Sequence, residues 1–216
     1  MPITYRTLAQ AIRHCTACSF RDPIIEPLAP DLPQLPVPVM FVGENPSWAQ
    51  EQLAPFAETT ISGQALNQHY LQPLGLARNQ VWITDLFKCR YPKAIYAAKP
   101  QHRETIQSVV NTCAGLWLPQ EIALARPHVL VTLSDQEVYR RLRRAFRLPT
   151  PANFAHVVGR PHAINLGGFA VTLFPMIHPD ISRPWDEGDS RKQAAREKWA
   201  PIHREVHIPA LRELLG

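Results

Sequence analysis

The sequence predicts an α/β fold of three layers, a central four-stranded parallel sheet held between helices. Three observations predict it. Short apolar runs bounded by turn residues recur at residues 37–42, 81–84, 128–133 and 170–177. Longer stretches with helical spacing separate them, at residues 63–74, 101–125 and 134–146. The runs are continuously apolar rather than alternating, the pattern of strands buried on both faces. With 216 residues and 45% hydrophobic content, the chain has enough apolar surface for one core, so residues 1–216 are expected to form a single domain.

The connecting segments follow from residue chemistry. A cluster of prolines between Pro23 and Pro38 excludes a helix or central strand, because proline lacks the backbone donor, and predicts an extended, ordered connection. No run of eighteen apolar residues exists, and residues 1–13 lack the order of a signal peptide, so a cytoplasmic location is expected, and separately a monomer. The net charge of +5 suits a polyanionic partner without demanding one. Part of that excess lies in Arg140, Arg141, Arg143, Arg144 and Arg147, which read equally well as a solvated helix face or a phosphate-contacting patch.

In parallel sheets ligands bind beyond the carboxyl ends of the strands, so the polar residues there are the first candidates for chemistry. They are Glu44 and Asn45 after the first run, Asp85 after the second and His178 after the fourth. The chain also holds four cysteines: Cys15 and Cys18 as a C-x-x-C pair, then Cys89 and Cys113. Disulfides are disfavoured in a cytoplasmic chain, and no strand precedes the C-x-x-C as in a thioredoxin-type pair, so a tetrathiolate metal or cluster site is the better reading, with unrelated buried thiols as the alternative. Zinc and an iron–sulfur cluster both accept four thiolates; two single, distant cysteines after one pair are less like a zinc ribbon.

These residues together resemble the iron–sulfur, family-four branch of the uracil-DNA glycosylase superfamily. The resemblance runs through Cys15-Thr16-Ala17-Cys18, Val42-Gly43-Glu44-Asn45-Pro46 with Pro55-Phe56, the stretch from Val81 through Asp85 to Lys88-Cys89-Arg90-Tyr91-Pro92, then Cys113, and His178-Pro179-Asp180. It implies the same parallel-sheet fold, a DNA partner, and a [4Fe–4S] cluster held by Cys15, Cys18, Cys89 and Cys113. Three positions depart from the family pattern. Asn45 and Ser47 replace an Ala and a Gly, and Asn45 is similar to the water-holding Asn of mismatch-specific and single-strand-selective relatives. Asp85 stands where an Asn normally reads uracil, and Asp180 stands where a Ser normally follows His-Pro.

A glycosylase extrudes its nucleotide and grips the base in a pocket. The resemblance implies Phe56 as the stacking face, His178 as the donor to the departing base, Asn45 as the group that holds the attacking water and Glu44 as an electrostatic neighbour. No lysine stands at a motif position suited to attack the sugar, so a monofunctional enzyme that leaves an abasic site is expected. Asp85 bears on the choice of base. An ionised Asp offers only acceptors, which oppose uracil's O4 but accept from cytosine's N4 amino group. Cytosine carrying a C5 substituent is therefore the expected target, with Ser47 and Ala57 small enough to leave room for it, and phage DNA containing such bases suggests a defence setting. The alternatives are a uracil-DNA glycosylase of base excision repair, a catalytically silent DNA-binding sensor, and a small nuclease or electron carrier. The last of these lacks a carboxylate cluster and a nucleotide fingerprint.

Overall fold

The computed structural model describes residues 3–46, 54–134, 136–182 and 190–216. Five strands form one sheet: β1 (Val39–Gly43), β2 (Trp82–Asp85), β3 (Val129–Leu133), β4 (His162–Leu166) and β5 (Phe169–Met176), in the order β2-β1-β3-β5-β4. Strands β2, β1, β3 and β5 are parallel, and β4 pairs antiparallel with β5. The four expected strands are present, but the sheet has a fifth. In β4 the side chains alternate, with Ile164 and Leu166 buried and Ala163 and Asn165 exposed. That is the pattern of an edge strand with one wet face, which a search for continuous apolar runs passes over. The two-residue turn Gly167-Gly168, with φ of +61° and +92°, closes the hairpin.

Alternation along the buried strands feeds two cores. Met40, Val42, Trp82, Leu130 and Leu173 pack on one face against helices α1 (Tyr5–Arg13), α5 (Arg103–Ala125) and α6 (Glu137–Ala145). Val39, Phe41, Ile83, Val131, Phe174 and Met176 pack on the other. Their partners there come from α2 (Ile61–Leu66), its π-turn at Asn67–Leu71 leading into α3 (Gln72–Leu74), and the C-terminal α9 (Ile208–Leu215). Helix α4 (Lys93–Ala97) follows β2, α7 (Pro179–Ser182) follows β5, and α8 (Ser190–Ile202) reaches α9 through a second π-turn at His203–His207. Among the described residues no helix is long and apolar enough to cross a membrane.

Helix α2 is seated against the loop that carries Phe56. Thr60 caps it by accepting from the Gly63 amide at 3.0 Å. Gly63 then lies so close to the loop that an added Cβ would stand 2.0 Å from the Ala57 carbonyl oxygen and 2.4 Å from that of Phe56. Both are main-chain atoms that cannot swing aside. Gly63→Ala is therefore expected to destabilise by roughly 1–3 kcal/mol through overpacking, although alanine favours an isolated helix by about 1 kcal/mol over glycine. Denaturant melts give the sign directly.

Candidate active site

The carboxyl ends of β1, β2 and β5 bring together Gly43, Asp85, Phe56 and the loop of His178. A Cβ placed on Gly43 would lie 2.3 Å from Asp85 Oδ1 and 2.5 Å from Phe56 Cε2, so the glycine leaves the space in which the carboxyl and the ring meet. Phe56 adopts φ +51°, a left-handed backbone conformation that is costly for an aromatic residue. It is held there by Arg78, which donates to the carbonyls of Pro55 and Phe56. The Phe56 ring faces His178 at 6.0 Å between centroids.

Asp85 is 2% exposed, and neither of its side-chain oxygens has a hydrogen-bond partner among the described residues. Burial raises its carboxyl to about 7; Lys88 works against the rise, and Glu121 and Glu44 add to it. Buried polar groups are ordinarily satisfied, so a buried carboxyl without a partner among the described residues, beside an aromatic ring, is the candidate ligand contact of this site.

The other predicted residues divide. His178 is half-buried, and its Nδ1 accepts from the Asp180 amide at 3.2 Å, which leaves the proton of a neutral ring on Nε2. The preceding carbonyl, of Ile177, accepts from the buried Tyr70 hydroxyl, so α2's π-turn anchors this loop. Asn45 spends its amide nitrogen on the Pro46 carbonyl at 2.7 Å. Glu44 sits in a charge network: Tyr91 donates to it at 2.7 Å, Lys99 at 3.0 Å and Arg141 at 3.1 Å. Burial and the Glu44 charge push the Tyr91 hydroxyl well above its ordinary range. Asp180 pairs with Lys192 of α8, and although burial works to raise it, that partner holds its carboxyl below the usual value. Ser47 lies outside the described residues. Ala57 is half-buried directly after Phe56.

The arginine cluster on α6 is largely turned to internal use. Arg141 is buried against Glu44 and Glu137, Arg143 donates to the Thr150 carbonyl at 2.6 Å, and Arg144 pairs with Glu104 at 3.2 Å. Of the two readings of that run, a phosphate patch gains little support.

The four thiols are free and grouped, although they come from the segment after α1, the loop after β2, and α5. The Ala17 amide points to Cys15 Sγ at 3.5 Å and the Lys88 amide to Cys113 Sγ at 3.4 Å. Donation from Cys89, joined by the amides of Phe20 and Arg21, lowers Cys18 to about 6 against the effect of burial. Burial raises Cys113 to about 12. Among the described residues no three Cys, His, Asp or Glu side chains converge closely enough to hold a single metal ion.

Sequence reasoning missed one element of the site. Lys88 is 2% exposed; its Nζ donates to Thr84 Oγ1 at 2.6 Å and to the Asp85 carbonyl at 2.8 Å, and pairs with Glu121 at 2.8 Å. Glu121 is fully buried on α5. The available signal was its place in the stripe Ala114, Trp117, Leu118, Ile122, Ala125, where a carboxylate requires a partner.

Residues 30–200 match the model of the uracil DNA glycosylase superfamily. Among curated proteins, the Type-4 uracil-DNA glycosylase of Saccharolobus solfataricus is 26% identical over 179 residues, covering 80% of this chain and 74% of that protein. That of Pyrobaculum aerophilum is 26% identical over 195 residues, 87% of this chain and 90% of the relative. That of Sulfurisphaera tokodaii is 27% identical over 145 residues, 65% and 59% of the two chains.

The buried carboxyl has a thermodynamic signature. Because the folded value of Asp85, about 7, lies above its ordinary 3.8, its contribution to stability is full below pH 3.8 and is lost as pH rises through about 7. At about 1.4 kcal/mol per unit the loss is on the order of 4 kcal/mol. Asp85→Asn should therefore gain stability relative to the wild type by roughly 2–3 kcal/mol more at pH 8 than at pH 5; a difference that is flat with pH in denaturant titrations would contradict this.

Proposed function

The chain belongs to the uracil DNA glycosylase superfamily, and we propose that it is a monofunctional DNA glycosylase whose preferred substrate is a C5-substituted cytosine rather than uracil. The carrying observation is Asp85: a buried carboxyl without a partner among the described residues, beside Phe56, in the place where the resemblance implies the base-reading residue.

The chemistry follows from the named groups. The extruded base stacks on Phe56 and presents its edge to Asp85. Uracil's N3–H is flanked by two carbonyls, so an ionised Asp85 that approaches it also meets a carbonyl oxygen with no proton between them, at a cost of about 1–3 kcal/mol. Uracil therefore needs the carboxyl in its protonated form. Cytosine's amino group donates to either form, and a protonated carboxyl adds a bond to N3. As the N-glycosidic bond breaks, charge grows on the base and on the sugar. His178, with its neutral-ring proton on Nε2, donates toward the base, and the Asn45 oxygen orients the attacking water. Glu44, the electrostatic neighbour in this reading, is fixed by Tyr91, Lys99 and Arg141 and holds the start of that loop. The product is an abasic site. Unmodified cytosine fills every genome, so selectivity requires the C5 substituent as a second criterion, and clearance of phage DNA is the proposed setting, with uracil repair as the alternative.

Cys15, Cys18, Cys89 and Cys113 are proposed to hold a [4Fe–4S] cluster. Four free thiols near one another support it, with main-chain amides directed at Cys15, Cys18 and Cys113, a donor set that suits thiolate ligation. When bound, the cluster supplies structure: it ties the segment after α1 to β2 and α5, and hydrolysis of this bond transfers no electron.

Two experiments test the proposal. Oligonucleotides carrying uracil, cytosine and C5-hydroxymethylated or glucosylated cytosine should yield alkali-labile sites chiefly with the modified cytosines. Residual uracil release should fall as pH rises through about 7, and Asp85→Asn should exchange cytosine activity for uracil activity. Robust uracil release unaffected by Asp85→Asn refutes the base assignment, and no release from any base favours the DNA-binding sensor. For the cluster, Cys89→Ala should lose broad visible absorbance and solubility; zinc without iron in the wild type, or a colourless, well-folded and active variant, refutes it.

A further inference from the structure

Lys88 and Glu121 form an ion pair that the fold alone does not require. Both side chains are at most 2% exposed, and a buried ion pair is commonly no more stable than apolar residues of the same volume. Their placement is specific. Thr84 donates to Glu121 Oε1 at 3.0 Å and accepts from Lys88, while the Lys88 ammonium also grips the main-chain carbonyl of Asp85. The pair thus stands directly behind the residue proposed to read the base, one residue along the chain from Cys89, with the Lys88 amide on Cys113.

We propose that the Lys88–Glu121 pair is the specificity-setting element of the base pocket: its charge balance decides whether Asp85 meets the base as an acid or as a carboxylate. The proposal rests on the reading of Asp85 given above. Lys88 and Glu121 are positioning residues, since neither touches the base. The ammonium favours the carboxylate form and the Glu121 charge opposes it. Other charged or titratable groups around Asp85 are Glu44 beyond β1, itself paired with Lys99 and Arg141 and bonded to Tyr91, and His178 across Phe56. A bound cluster adds fixed negative charge on the Cys89 side, constant between variants of equal iron content. Burial alone would hold Asp85 in the acid form, in which uracil is admitted as readily as cytosine. A cation behind the strand end shifts the balance toward the carboxylate, the form that rejects uracil.

The prediction has opposite signs for the two partners, which a purely structural role does not produce. The protonation midpoint of Asp85 is read by infrared difference spectroscopy of the carboxyl C=O band, assigned by its absence in Asp85→Asn, on cluster-loaded protein with iron content checked. Lys88→Met should raise the midpoint by about one pH unit or more, and Glu121→Gln should lower it by a similar amount. Lys88→Met/Glu121→Leu removes both charges without leaving one unpaired, should fold as stably as the wild type and should fall between the single variants. If Lys88→Met does not fold, Glu121→Gln and the double variant carry the test. Midpoints that do not move, or that move in the same direction, overturn the proposal. Opposed shifts in a protein that releases no base would uphold the charge coupling and overturn the glycosylase reading; selective release of modified cytosine with unmoved midpoints would do the reverse.

Discussion

Asp85 ends β2 with both carboxyl oxygens buried and without a hydrogen bond among the described residues, and the neighbourhood is organised around that arrangement. Leaving a carboxyl in this condition costs stability that the rest of the fold must supply. The two apolar layers do so from either side of the sheet, through Phe41, Phe174 and Met176 on one face and Met40, Trp82 and Leu173 on the other. The carboxyl lies against Gly43, where the absence of a Cβ lets it meet the Phe56 ring.

The groups around that contact are each fixed by a residue distant in sequence. Arg78 holds the strained Phe56 backbone, Tyr70 holds the carbonyl before His178, and α6 sends Arg141 to Glu44. The candidate groups therefore stand at the strand ends while helices on both faces set their geometry, and a small displacement of either layer would be felt there. The thiols extend the same logic. Lys88 and Cys89 are adjacent, so the loop that brings a thiol to Cys113 also delivers the ammonium to the back of Asp85.

Much of this was legible in the sequence, for identifiable reasons. Continuous apolar runs revealed β1, β2, β3 and β5, because strands buried on both faces write themselves as unbroken Val, Ile, Leu and Phe. Strand-end polarity then pointed to Glu44, Asn45, Asp85 and His178, and three of those strand ends do converge on Gly43 and Phe56. Strand β4 was missed because its alternation is short and half wet, although Gly167-Gly168 is a hairpin signal. The ion pair of Lys88 and Glu121 was missed because burial of a charge is a tertiary fact: a lysine in a loop and a glutamate on a helix read as solvated until the helix docks. The arginine run on α6 left two readings open, and its ion pairs with Glu137 and Glu104 depend on partners that local charge density does not reveal.

The most direct test of the central claim, that Asp85 reads the base, is a crystal structure of a slow variant, Asn45→Ala, with DNA containing a C5-hydroxymethylated cytosine. The prediction is an extruded base lying against the Phe56 ring, with its N4 amino group in hydrogen-bonding contact with the Asp85 carboxyl. A bound base whose N4 and N3 are met by main-chain groups alone, with Asp85 still without a partner, would contradict it.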